Sequence, residues 1–219
     1  MDFFSQLQQD TTSERNALTT APIVAAALAG RVNRRQYLSF LTRAFHHVKH
    51  TPSLLMACGA RVSERQEWLR AEIAHYIEEE IGHDEWILDD IAAAGGDAEA
   101  VRTSAPEFHT DLMVAYAYDT VMRRNPLGFF GMVYVLEGAS VSLASNVATV
   151  LQKSLDLPPN AFTYLSSHGA LDVEHVGNFK SLVNQLDSSV DRECITHCAK
   201  AFYRLYGNVL RSIDLEEQT

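Results

Sequence analysis

Two imidazoles and one carboxylate stand at helical spacing in the segment His168-Gly-Ala-Leu-Asp172-Val-Glu-His175. At about 100° per residue, Asp172 lies about 40° from His168 and His175 about 20° to the other side, so the three share one helix face. Two neutral nitrogen donors and a carboxylate oxygen are the ligand mix of non-haem iron, in sites that keep positions open for oxygen and substrate. A solvated polar face is the competing reading for this segment alone. Other residues decide between them.

Glu137 is the only charged residue between Leu127 and Leu151, and its helical neighbours include Phe130, Val133, Tyr134, Val141 and Ala144. A carboxylate among such groups costs several kcal/mol, on the order of a lost ion pair, unless a cation or hydrogen bonds compensate it. An arginine or a buried hydrogen bond would serve; a metal ion would also account for the choice of Glu. In Glu79-Glu80-Ile-Gly-His83, Glu80 falls within the apolar stripe set by Ile73, Tyr76, Ile77, Ile87, Leu88 and Ile91. His83 lies one turn on, making Glu80-x-x-His83 the inward pair. Glu79 turns towards the solvent side, and Glu72-x-x-His75 reads as a decoy. Among His46, His47 and His50, His47 shares a face with Phe40, Ala44 and Leu54. It is therefore the inward histidine, either a core residue or an additional ligand.

The elements that must position these residues are helical. Apolar residues recur at a 3.6-residue period, Pro and Gly are sparse, and strand alternation is missing. The expected helices run from Arg34 to Ala57 with a kink near Pro52, from Ser63 to Ala94 before Gly95-Gly96, from Ala98 to Ser104 and from Pro106 to Arg124. A buried helix then starts at Asn125-Pro126 and reaches Asp156, the His168 helix ends near Leu186, and the last runs from Val190 to Ile213. Residues 1–31 form a variable segment with a short helix at Pro22 to Leu28, and residues 32–219 one all-α domain of about seven helices.

Composition fits this frame. The 219 residues are 47% hydrophobic and 21% charged, an ordinary globular balance. The net charge of −10 argues against a nucleic-acid partner. Cys58, Cys194 and Cys198 form no Cys-x-x-Cys pair and suit a reducing, cytoplasmic setting; the N-terminus lacks the signature of a signal peptide. The Leu127–Leu151 stretch is long enough to span a membrane, but a charge at the bilayer centre costs about 3 kcal/mol, and Glu137 sits in its middle. A helix buried in protein is the better account.

With Glu80-x-x-His83, Tyr134-Val-Leu-Glu137-Gly and His168-x3-Asp172-x2-His175 in this order, the chain resembles the haem-oxygenase-like di-iron oxidases and oxygenases, the iron-containing redox enzymes of the thiaminase II and pyrroloquinoline-quinone synthase fold group. The resemblance implies a single-domain, seven-helix haem-oxygenase-like bundle. It implies two Fe(II) ions held by Glu80, His83, Glu137, His168, Asp172 and His175, and O2 as co-substrate. One arrangement puts Glu80, His83 and His168 on one iron and Glu137, Asp172 and His175 on the other, with Glu137 or Asp172 bridging. The carboxylates Glu80, Glu137 and Asp172 would then act in catalysis through the metal. The activity implied is oxidation or oxygenation of a small organic substrate by a cytoplasmic enzyme, with a homodimer as the default assembly. Two other readings stay open. The Tyr-Val-Leu-Glu-Gly run is also similar to true haem oxygenases, where His47 would be cast as haem ligand, and a helical bundle can be a non-catalytic binding protein.

Overall fold

The computed structural model describes residues 1–216; side chains of residues 168–174 lie outside the description. Among the described residues all regular structure is helical. Three short helices open the chain, α1 (Phe3–Asp10), α2 (Thr12–Thr19) and α3 (Pro22–Leu28). They are built into the bundle: Phe3, Phe4, Leu7, Leu18, Ile23 and Val24 are all buried. The Phe4 N–H donates to Asn184 Oδ1 at 2.9 Å, tying α1 to the far end of the chain.

Next come α4 (Arg34–Val48), started by an Asn33–Gln36 capping box, and α5 (Thr51–Arg61), with Pro52 in its first turn. The helix expected from Arg34 to Ala57 is thus two segments. Proline has no N–H to continue the ladder and its ring crowds the preceding turn, so Pro52 begins a new helix more readily than it bends an old one.

The helix expected from Ser63 to Ala94 is also divided. A 3-10 turn at Glu64–Gln66 leads into α6 (Trp68–Glu80), and α7 (His83–Ala93) follows after a break. At that break Ile81 is extended (ψ 124°) and Gly82 takes φ 92°, a left-handed conformation that glycine adopts without a Cβ penalty. Glu80 and His83 therefore flank a corner, the last residue of one helix and the first of the next.

After α8 (Ala98–Thr103) and α9 (Phe108–Arg123), Asn125 caps a turn at Pro126–Gly128 that feeds α10 (Phe129–Leu155). This is the one helix among the described residues long and apolar enough to cross a membrane, and 61% of its most apolar window is buried within the protein. It packs along α11 (Thr163–Gln185) and α12 (Ser189–Arg211). Glycine makes one of these contacts possible: a Cβ on Gly131 would lie 2.6 Å from the Ala199 backbone nitrogen of α12.

Candidate metal centre

The candidate ligands come from the end of α6, the start of α7, the middle of α10 and the middle of α11. Asp90, fully buried on α7, fixes one of these junctions. Its carboxylate accepts the N–H of Thr163 at 2.8 Å and of Tyr164 at 2.9 Å, which are the first orphan donors of α11. Burial raises the Asp90 pKa and these hydrogen bonds pull it back. The helix bearing His168, Asp172 and His175 is thereby locked to the helix that starts at His83.

Glu80, His83, Glu137 and His175 are drawn into one interior region. His83 Nδ1 stands 3.4 Å from Glu80 Oε2, with 4% and 11% of the two side chains exposed. The Gly82 corner makes this approach possible and puts Glu80 at the positive end of α7, where a carboxylate is favoured. The His83 ring also stacks on Trp86 at 4.1 Å. Glu137 is 8% exposed and His175 2%. Between them sits Tyr76 of α6, its ring 6.1 Å from that of His175. Burial pushes the Tyr76 hydroxyl pKa far up, and the negative charges of Glu137, Glu79 and Glu80 push it further. Three carboxylates thus surround one phenol that stays protonated.

Glu79 corrects the sequence expectation. It turns inward: its Oε2 lies 3.4 Å from His175 Nε2 while Oε1 reaches the exposed His75 Nε2 at 3.2 Å. The angular argument that pointed Glu79 to solvent assumed a helix running past residue 80. Because α6 ends there, its last carboxylates reach sideways to α11. His75 stays at the surface, as expected of the decoy pair.

His168 and Asp172 lie on α11, but their side chains fall outside the described residues. Among the described residues no three His, Cys, Asp or Glu side chains stand close enough to share a metal ion. The described part consists instead of two carboxylate–imidazole pairs, Glu80–His83 and Glu79–His175, with Glu137 beside Tyr76.

An internal cavity of about 160 Å³ opens onto this region. Glu80, Glu137 and Tyr76 line it, together with Ser140, Gln36 and Thr51, and most of the rest of its wall is apolar. His47 lines the cavity as well, 2% exposed, its ring edge-on to Tyr206 at 5.8 Å. His46, at 1% exposure, is equally buried but faces elsewhere, bonded to Ser104 Oγ at 2.9 Å; burial and the neighbouring Lys49 lower its pKa to about 4. His50 pairs with the Tyr118 hydroxyl at 3.1 Å. Tyr134 is part of the packing, with its hydroxyl 3.2 Å from Thr11 Oγ1.

A helical bundle with carboxylates and imidazoles brought to its interior beside an apolar cavity defines a haem-oxygenase-like fold with a candidate metal or substrate chamber. The model of the iron-containing redox enzyme family matches residues 38–207, and the chain belongs to that family. Solved structures agree on the fold. A domain of unknown function with a heme oxygenase-like fold from Shewanella denitrificans superposes with a TM-score of 0.87 at 23% identity, over 97% of this chain and 92% of that one. A TenA homolog from Pseudomonas syringae gives 0.78 at 13% identity, covering 95% and 90%. Heme oxygenase-1 from Synechocystis, in complex with heme, gives 0.75 at 13%, covering 98% and 93%. No curated protein sequence matches.

Proposed function

We propose that this protein is an O2-dependent, non-haem di-iron oxidase or oxygenase acting on a small organic substrate. The observation that carries the reading is the convergence of Glu80, His83, Glu137, His175 and Glu79 around Tyr76 in the protein interior. Oxygen and imidazole donors in this proportion suit iron, and the lining of the adjoining cavity, to which Glu80 and Glu137 belong, contains no Lys or Arg among the described residues. The donor chemistry fits two ferrous ions. Glu80 with His83 would hold one, Glu137 with His175 the other, and His168 and Asp172 are the further ligands that α11 would supply. Iron would supply the one-electron chemistry that lets O2 react.

The chain's own residues have definable tasks in that scheme. The Glu79 carboxylate stands 3.4 Å from His175 Nε2 and would orient the ring, the usual support for a ligating histidine. Tyr76 keeps its proton beside Glu137 and offers a hydroxyl donor at the reacting end of the cavity. The apolar wall excludes water, so that an oxidising centre meets the substrate rather than solvent.

A haem-degrading reading has one observation in its favour, that His47 lines the cavity. Against it stands the free volume of about 160 Å³, comparable to an engineered apolar void of about 150 Å³ that takes one benzene. Two acidic side chains in the lining also suit a porphyrin poorly. Anaerobic Fe(II) titration followed by O2 tests the proposal. Two equivalents bound, with a visible spectral change on adding O2, are expected; no binding, or a Soret band with haem that disappears in His47→Ala, overturns it.

A further inference from the structure

Cys194 and Cys198 stand one turn apart on α12, and both sulfurs close on the turn that feeds α10. A Cβ on Gly128 would lie 2.7 Å from Cys198 Sγ and 3.2 Å from Cys194 Sγ. Packing against a glycine explains where the sulfurs sit, but not what faces them. Tyr116 and Thr120 of α9, with Arg124 just past its end, are also one turn apart and turn towards this pair. The Tyr116 hydroxyl is 4.0 Å from Cys198 Sγ, and the Arg124 guanidinium lies over the Tyr116 ring at 5.6 Å while pairing with Asp119 at 2.7 Å. The Thr120 hydroxyl, on a fully buried residue, reaches the same sulfur. Donation from the Cys194 thiol is the chief influence that lowers the Cys198 pKa, and Tyr116, Arg124 and Thr120 add to it against burial. The same donation, with burial and the charge of Asp191, raises that of Cys194. Cys58 is the contrast: its thiol donates to the Pro126 carbonyl at 3.4 Å, and burial pushes its pKa up to about 12.

We propose that Cys194 and Cys198 form a modification site for small hydroperoxides, with Cys198 as the attacking thiol and Cys194 as the resolving one. The Cys198 thiolate attacks the terminal peroxide oxygen; the O–O bond breaks, water or an alcohol leaves with the proton, and the sulfur becomes a sulfenic acid. The Cys194 sulfur then attacks that sulfur, an S–S bond replaces the S–O bond, and water leaves with the Cys194 proton. Two thiols are oxidised and one hydroperoxide is reduced. Cys194 is half-buried and Cys198 buried, which restricts the reaction to a small oxidant. The bond is built to be reversible. One helical turn sets the two Cβ atoms about 5–6 Å apart, whereas a disulfide needs about 3.5–4.5 Å, so closure tightens α12 and leaves a strained, reducible bond. The tightened turn is the one packed on α10, since a Cβ on Gly131 would lie 2.9 Å from Cys198 Cβ. Neither step uses iron, and the site is independent of the di-iron reading.

Peptide mass mapping of the full-length protein tests the site, as purified and again with a metal chelator present. Iodoacetamide should label Cys198 more than about tenfold faster than Cys58. Hydrogen peroxide should produce an intramolecular Cys194–Cys198 disulfide, equally with and without chelator, and reduced glutathione should reopen it. Cys194→Ser keeps a hydroxyl donor beside Cys198 but cannot resolve, so peroxide should leave a sulfenic acid that dimedone traps. Tyr116→Phe should slow the labelling of Cys198 severalfold. Equal labelling of Cys58 and Cys198, no disulfide between Cys194 and Cys198, or one that persists in glutathione overturns the proposal. So does oxidation that stops when metal is chelated, which would assign it to the metal instead. The wild-type measurements decide the matter even if a variant does not fold.

Discussion

Glu137→Gln should have opposite effects on the metal-free and iron-loaded protein. Glu137 is 8% exposed, lies on the most apolar helix and adds its charge to those of Glu79 and Glu80 around Tyr76. In the metal-free state a glutamine of the same shape removes a buried charge that several like charges disfavour. Relief of about 2 kcal/mol is the scale for a partly compensated buried carboxylate. For a chain of this size each kcal/mol moves Tm by about 2–4 °C, so the variant should melt about 4–8 °C above wild type after chelation. With Fe(II) present the order should reverse. A lost ligand lowers iron affinity, and the stabilisation that bound iron gives scales with RT ln(1 + [Fe]/Kd). Differential scanning calorimetry with and without anaerobic Fe(II) reads both. If Glu137→Gln destabilises the chelated protein, or melts identically to wild type in iron, Glu137 is a structural carboxylate and the reasoning fails.

Other perturbations probe the supports of the site. Glu79→Gln should weaken iron binding about 10–100-fold while leaving the fold intact, as loss of a ligand-orienting carboxylate does; equal affinity in a metal titration would show that its approach to His175 is incidental. Asp90→Ala leaves the first two N–H groups of α11 without their acceptor. It should cost about 1–3 kcal/mol, with faster amide exchange confined to the start of that helix. Gly131→Val forces a Cβ against the α12 backbone and should lower Tm by about 2–12 °C, from an overpacking cost of about 1–3 kcal/mol. His46 predicts a pH dependence. Its folded pKa near 4 lies below the ordinary 6.5, so the unfolded chain takes the proton first and stability falls as pH drops from about 6.5 towards 4. Denaturant titrations across that range should show a shallower fall in His46→Gln.

Punctuation in the sequence marked most of the helices. Asn125-Pro126 and Pro158-Pro159 bracket α10, Gly95-Gly96 closes α7, and Pro52 marks the start of α5. The break at Ile81-Gly82 was not legible, because a single glycine in a helical pattern costs only about 1 kcal/mol and is commonly tolerated. Missing that corner misplaced Glu79, since its direction was computed for a helix that continues. Glu80 and Glu137 were legible as inward residues because each interrupts an apolar face, and His83 and His175 because their spacing set them beside other candidate ligands. The helices α1 and α2 were not expected; at eight residues each they are too short to form alone, and burial of Phe3, Phe4, Leu7 and Leu18 in the bundle holds them.

The central claim is that two irons sit among Glu80, His83, Glu137, His175 and the α11 residues His168 and Asp172. A crystal structure of anaerobically Fe(II)-loaded protein, with anomalous data collected at the iron edge, tests it most directly. Two peaks about 3.5–4 Å apart between α6, α10 and α11 are the predicted result. An absence of peaks there, a single peak, or iron found on His47 within a porphyrin would contradict the account.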